Sequence, residues 1–148
     1  GPVHAVRDFV APADVRVGAR CEDWREAIRL AARPLLERGL IEGRYVERMI
    51  GAVEDFGPYM VLTPRTAYVH AGMSDGAREN CASLLVLDHD IPFGPRGEKR
   101  VRCVIVLGIH DTERSLLLGL APIFEREETI RAIERPDLSV ADVLELHD

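Results

Sequence analysis

Several features that mark specialised proteins are absent from this chain. Cysteine is scarce: Cys21, Cys81 and Cys103 are the only three, an odd number with no CxxC pair. A disulfide framework is thereby excluded, and reduced thiols in a cytosol fit best. Long hydrophobic runs are missing. The run 104–109 has the length of one strand, whereas a membrane span needs about 20 residues. No basic start followed by an apolar stretch marks a signal peptide. The expectation is a cytoplasmic chain with no direct membrane insertion. Positive charge is not concentrated anywhere: net charge is -6, the pI is near 5.4 and no basic stripe occurs, which argues against nucleic acid as a partner. There is no HExxH, Walker A, GxGxxG or GxSxG motif. Asp88-His89-Asp90 resembles a metal site only superficially, because consecutive residues on an extended chain point to opposite faces. No metal and no cofactor are expected.

What is present is an ordinary globular balance. The 148 residues are 47% hydrophobic and 30% charged, about the size of a single domain spanning residues 1–148. Gly1-Pro2 reads as the remnant of a cleaved tag and is left out of the fold argument. Residues 1–12 carry the least pattern and read as a loose N-terminal segment. Val15-Arg16-Val17 alternates like a short edge strand.

Residues 23–38 then place Trp24, Ala27, Ile28, Ala31, Ala32, Leu35 and Leu36 on one helical face. Asp23 caps this helix and Gly39 closes it, and Pro34 should kink or split it. A second helix fits residues 43–56, stopped by Gly57-Pro58. The period next changes to that of strands at 59–62 and 66–70, with a turn between them. A polar loop covers 71–79 and a buried strand 81–87. Residues 88–100 read as a strand end and an exposed hairpin, and 101–109 as the most apolar, central strand. Helices return at about 111–125, capped by Asp111 or Thr112 and bent or ended by Pro122, then at 129–133 and at 140–146, where Ser139 is the cap. Helices flanking a run of strands give an α/β, three-layer-like domain with a mixed sheet of about four to five strands.

Two histidines stand at strand ends. His70 closes an apolar strand and opens a glycine-containing loop, a placement that holds the ring while leaving room for a partner. Position alone does not separate it from an ordinary surface histidine. His110 ends the central strand just before a helix. If that strand runs parallel to its neighbour, its carboxyl end and the helix N-terminus define a crevice favourable to anions.

Three segments carry a resemblance. Asp23-Trp24-Arg25-Glu26-Ala27-Ile28 opens the first helix, with Leu40-Ile41-Glu42 and Tyr45-Val46-Glu47 opening the second. Gly57-Pro58-Tyr59-Met60-Val61-Leu62-Thr63-Pro64 leads to Ala67-Tyr68-Val69-His70-Ala71. Ser83-Leu84-Leu85-Val86-Leu87 follows, with Pro92-Phe93-Gly94 and the strand at 101–109. Over residues 13–146 the chain resembles the enzyme IIA domains of bacterial sugar phosphotransferase systems. It is most similar to the mannitol/fructose (type 2) superfamily in its ascorbate-like branch, where the central stretch reads GPYIVIAP and then ALPHA.

The resemblance implies that His70 is phosphorylated by the phosphocarrier protein HPr and donates to an enzyme IIB, and through it to a membrane enzyme IIC permease. It implies a second ring nitrogen fixed by an acceptor, backbone N–H groups of residues 71–74 around the phosphoryl oxygens, and an apolar docking surface. A homodimer stays open. A regulatory enzyme IIA-like module, and a fold-mate that binds an anion or a protein without chemistry, are the alternatives. Several positions depart from the family: Val69 replaces a proline, Glu54 falls near a phosphate-clamping arginine, and Gly72-Met73 replaces Arg-Pro. A second histidine of the family falls near Glu113 or Arg114, about one turn after His110. The candidates for stabilising the phosphoryl group are therefore His110, Arg65, Arg78, Arg114, Thr63 and Ser74.

Overall fold

The computed structural model describes residues 3–148, so Gly1-Pro2 lies outside the described residues. The order of elements is β1 (Val15–Ala19), α1 (Trp24–Glu37), α2 (Gly43–Phe56), β2 (Val61–Thr63), β3 (Thr66–Val69), β4 (Cys81–Phe93), β5 (Lys99–Gly108), α3 (Ser115–Glu125), α4 (Glu127–Ala132) and α5 (Val140–Glu145). The strands form one mixed five-stranded sheet in the order β1-β4-β5-β3-β2. β5 is central. It runs antiparallel to β4 and parallel to β3. β1 is the expected edge strand and runs parallel to β4.

Strand alternation sends side chains to two cores, one on each face of the sheet. Val104 and Val106 pack with α1 and α2, while Cys103, Ile105 and Leu107 pack with α3, α4 and α5. This makes the α/β fold three-layered, with helices covering both faces. α1 begins where Asp23 accepts from the Glu26 backbone N–H at 2.9 Å. It ends at Gly39, whose φ of 72° only glycine adopts without strain. α5 is capped by Ser139 in a capping box with Asp142.

Two expectations are corrected and one is narrowed. Pro34 and Pro122 neither split nor end their helices. Each proline removes one backbone bond, and burial of the apolar face against the sheet outweighs that loss. α3 starts at Ser115, not near 111. Asp111 is engaged by the Asn80 side-chain amide at 2.8 Å and the Glu113 backbone N–H at 2.8 Å, which holds the preceding residues in a turn. The N-terminal segment is not loose from residue 3 on: Val6 and Val10 are buried, the Val6 N–H donates to the Leu146 carbonyl at 2.9 Å, and Ala5 bridges His147.

Candidate functional site

Because β3 and β5 are parallel, with Val69 opposite Val106, their carboxyl ends lie side by side at one edge of the sheet. That edge is where open α/β sheets place ligands. All four residues of β3 are buried, and His70 is the first to emerge, half-buried. Val69 needs no proline ring to restrain it, because the ladder holds it.

The His70 ring is oriented by a bond between Nδ1 and the Tyr68 carbonyl oxygen at 2.9 Å. A carbonyl only accepts, so Nδ1 carries a proton, and in the neutral ring the lone pair is on Nε2. Nε2 makes no hydrogen bond among the described residues. The expected acceptor on the second ring nitrogen is thus Tyr68.

His70 and Ala71 stand on a ridge between two clefts. The first has a volume of about 270 Å³, and Met73, Asn80, Leu107, Ile109, Arg114 and Leu117 help to line it. The second, of about 450 Å³, is lined from α2 and the following turn by Arg48, Asp55, Phe56 and Tyr59, and from the His70 loop by Asp75. The N-terminus of α3 opens on the first cleft. Its N-cap residue Arg114 makes no side-chain cap, and the Ser115 N–H is taken by Glu113 Oε1 at 2.9 Å, so only the later N–H groups of the first turn are left for an anion. Among the described residues neither Arg48 nor Arg114 forms an ion pair, and each lines a cleft that also holds carboxylates, Asp55 and Asp75 beside Arg48 and Asp111 and Glu113 beside Arg114. Phe56, Tyr59 and Met73 are exposed around the ridge, and Phe56 and Tyr59 meet edge to face. Among the described residues no group of three or more His, Cys, Asp or Glu side chains is placed to hold a metal ion.

Of the sequence candidates, Arg114 alone shares a cleft with His70. His110 lies at the same edge but is exposed outside both clefts, its Nδ1 paired with the Ala77 carbonyl at 3.1 Å and its N–H donating to Asn80 at 2.9 Å. Arg65 sits at the other end of β3, about 16 Å away along the strand. It binds Asp90 through two nitrogens, at 2.9 and 2.5 Å, and pairs with Glu134. Burial alone would raise the Asp90 carboxyl, but Arg65, with Arg102, holds it below the usual carboxylate range. Thr63 is buried, its hydroxyl bonded to that of Tyr68 at 2.7 Å. Arg78 is exposed beside Glu42 at 3.5 Å, and Ser74 is exposed with its carbonyl accepting from Arg44 at 2.9 Å. Neither lines a cleft.

The amide cradle expected over residues 71–74 loses its first two donors. The Ala71 N–H donates to the Tyr45 hydroxyl at 3.1 Å and the Gly72 N–H to Asp75 Oδ2 at 2.7 Å. Glu54 turns away from the ridge to pair with Arg25 of α1 at 3.0 Å.

Sequence reading missed Arg48, Tyr45 and Asp75. A signal for Arg48 existed. Arg48, Gly51, Ala52 and Asp55 fall on one face of α2, and two small residues beside an arginine leave that face open.

Residues 8–145 match the family model described as "Phosphoenolpyruvate-dependent sugar phosphotransferase system, EIIA 2". The ascorbate-specific PTS system EIIA component of Escherichia coli K12 is 27% identical over 146 residues, covering 95% of this chain and 95% of that protein. The fold is shared with the solution structure of the mannitol-specific cryptic enzyme IIA CmtB of E. coli, at a TM-score of 0.83 and 23% identity over 95% of this chain and 98% of that one. It is shared too with enzyme IIA in the E. coli complex of mannitol enzyme IIA and phosphorylated enzyme IIB, at a TM-score of 0.78 and 22% identity over 90% and 93% of the two chains. With a parallel strand pair ending at an oriented histidine and a family model spanning nearly all of its length, the chain belongs to the EIIA 2 family of the phosphoenolpyruvate-dependent sugar phosphotransferase system.

Proposed function

We propose that this chain is a cytoplasmic phosphoryl carrier that accepts a phosphoryl group on His70 Nε2 from HPr and passes it to an enzyme IIB. The carrying observation is the bond from His70 Nδ1–H to the Tyr68 carbonyl, which leaves Nε2 as the free nucleophile between two clefts. The Nε2 lone pair attacks phosphorus as the P–N bond to the donor histidine breaks. The donor imidazole leaves with the electron pair of that bond. The Nδ1 proton stays on the ring, and the Tyr68 carbonyl stabilises the positive charge that the imidazole gains. Transfer to enzyme IIB reverses these roles. The transition state is loose, so positioned cations supply most of the help. Arg48 and Arg114 fill that role from opposite sides. The exposed Phe56, Tyr59 and Met73 give the apolar contact that two successive partners need. The solved relative seen in complex with phosphorylated enzyme IIB supports that partner. Through enzyme IIB the phosphoryl group reaches a membrane permease, which selects the sugar.

The test is incubation with phosphoenolpyruvate, enzyme I and HPr of the same organism. Wild type takes up an acid-labile phosphoryl group and His70→Ala takes up none. Label that persists in His70→Ala sinks the site. An unlabelled wild type sinks the carrier reading in favour of a fold-mate that binds an anion or a protein without chemistry, and repulsion by the carboxylates of Asp55, Asp75, Asp111 and Glu113 beside the ridge would account for the lost uptake. Label that does not move to an enzyme IIB points to a regulatory module.

A further inference from the structure

The ladder between β3 and β5 stops at Val69 and Val106. Beyond that pair the two chains part. β5 continues against β4 through Leu107 and Gly108, while the other chain turns away at His70. Strands that separate leave backbone donors and acceptors without a ladder partner, and such groups must be satisfied elsewhere. Here one side chain takes three of them. Tyr45 of α2 is 0% exposed. Its hydroxyl donates to the Leu107 carbonyl at 2.6 Å. It accepts from the Ala71 N–H at 3.1 Å and the Ile109 N–H at 2.9 Å. A phenol has one proton and two acceptor positions, so its capacity is used in full.

We infer that Tyr45 is a positioning residue for His70, its hydroxyl standing in for the missing rung between the parted ends of β3 and β5 and fixing the backbone directly after the phosphoryl-accepting ring. This inference rests on the reading of His70 as that acceptor. The ladder clamps His70 through Val69 on one side, and Tyr45 clamps it through Ala71 on the other. Between the clamps the imidazole reaches back two residues to the Tyr68 carbonyl. That short return path closes only for a narrow set of His70 torsions. The same hydroxyl holds Leu107 and Ile109, which line the first cleft, so it sets the cleft wall and the nucleophile from one point. Burial pushes the Tyr45 hydroxyl up to about 12, so it remains a phenol able to donate to Leu107 at neutral pH. Releasing Ala71 frees the turn at His70, and the ring proton then distributes over both nitrogens.

The test is Tyr45→Phe in the full chain, with two readouts. Nitrogen–proton correlation spectra of the imidazole rings, at a pH where they are neutral, report the tautomer. Wild-type His70 is expected as the Nδ1–H form and Tyr45→Phe as a mixture. Phosphoryl uptake from phosphorylated HPr should slow roughly 10- to 100-fold, with its dependence on HPr concentration unchanged, because Tyr45 is not at the surface. Met49→Ala, a buried α2 change outside this network, controls for loss of stability and should leave the tautomer as in wild type. A wild-type tautomer in Tyr45→Phe overturns the inference, as does a mixed tautomer in Met49→Ala. Should Tyr45→Phe fail to fold, 3-fluorotyrosine at position 45 keeps the shape and weakens the acceptor. A partial tautomer shift supports the inference and no shift overturns it. If wild type takes no phosphoryl group at all, the carrier reading falls while the spectra still decide the part played by Tyr45.

Discussion

At the scale of single residues, the chemistry on the ridge depends on which charges are already spent. Arg65 is bound to two carboxylates and Arg78 is beside a third, so neither has charge to offer a phosphoryl group near His70. Arg48 and Arg114 are free to do so. A phosphoryl group brings about two negative charges. The carboxylates that share its clefts make the two guanidinium groups more necessary, not less. Arg48→Ala and Arg114→Ala should each slow phosphoryl uptake roughly 100-fold while changing stability by less than about 0.5 kcal/mol. Arg65→Ala should show the opposite pattern. It leaves Asp90 short of a partner and costs about 1.5–3 kcal/mol of stability, with uptake by the folded protein nearly unchanged. Rapid-quench assays with phosphorylated HPr, run beside urea unfolding of the same variants, read both quantities. Equal uptake defects in all three variants would contradict the division of labour drawn here.

At the scale of elements, the pairing of β4 with β5 carries the site edge. Cys81 and Gly108 are register partners at that edge. A Cβ built on Gly108 would lie 2.5 Å from Cys81 Sγ and 3.2 Å from Ile41 Cγ2. Glycine is required there by close approach, since its φ is ordinary. Ile41 also bridges Ala77, which ties the loop after His70 to the start of α2. Gly108→Ala is therefore expected to cost about 1–3 kcal/mol, and Cys81→Ala in the same chain should recover part of it, because the sulfur is the nearer obstacle. A double-mutant cycle by chemical denaturation measures the coupling. Strict additivity would show that the strain lies at Ile41 instead.

At the scale of the whole molecule, two cores on either side of one sheet leave no thiol at the surface. Cys21, Cys81 and Cys103 are 1%, 9% and 0% exposed. Burial pushes the Cys21 and Cys81 thiols up to about 11 and raises Cys103 as well, so all three are protonated and poor nucleophiles at neutral pH. A disulfide-exchange reagent should titrate none of them promptly in the native protein and all three in denaturant, with the native rate following global opening. Prompt reaction of any one would mean that its part of the core opens locally.

The order of helices and strands, the caps at Asp23, Gly39 and Ser139, the edge strand at Val15 and the central strand ending before His110 were legible in the sequence. His70 stood out as the candidate acceptor once the stretch from Gly57 to Ala71 was read as a whole. These features are local: hydrophobic period, capping chemistry and turn residues act over a few neighbours in the chain. Which cations stand near His70 was not legible, because that depends on distances between residues far apart in sequence. Counting back from His70 points to Glu54, which the packing of α2 on α1 turns toward Arg25. The exposed face of α2 presents Arg48 instead. Arg65 is near His70 in sequence but at the opposite end of a strand, where extended backbone carries it away. The N–H groups after His70 read as free donors until Tyr45 and Asp75 are seen to occupy them. The proposed acceptor lies in a contiguous stretch of sequence, whereas its electrostatic surroundings come from residues far apart in the chain and took shape only when the sheet, α2 and α3 packed together.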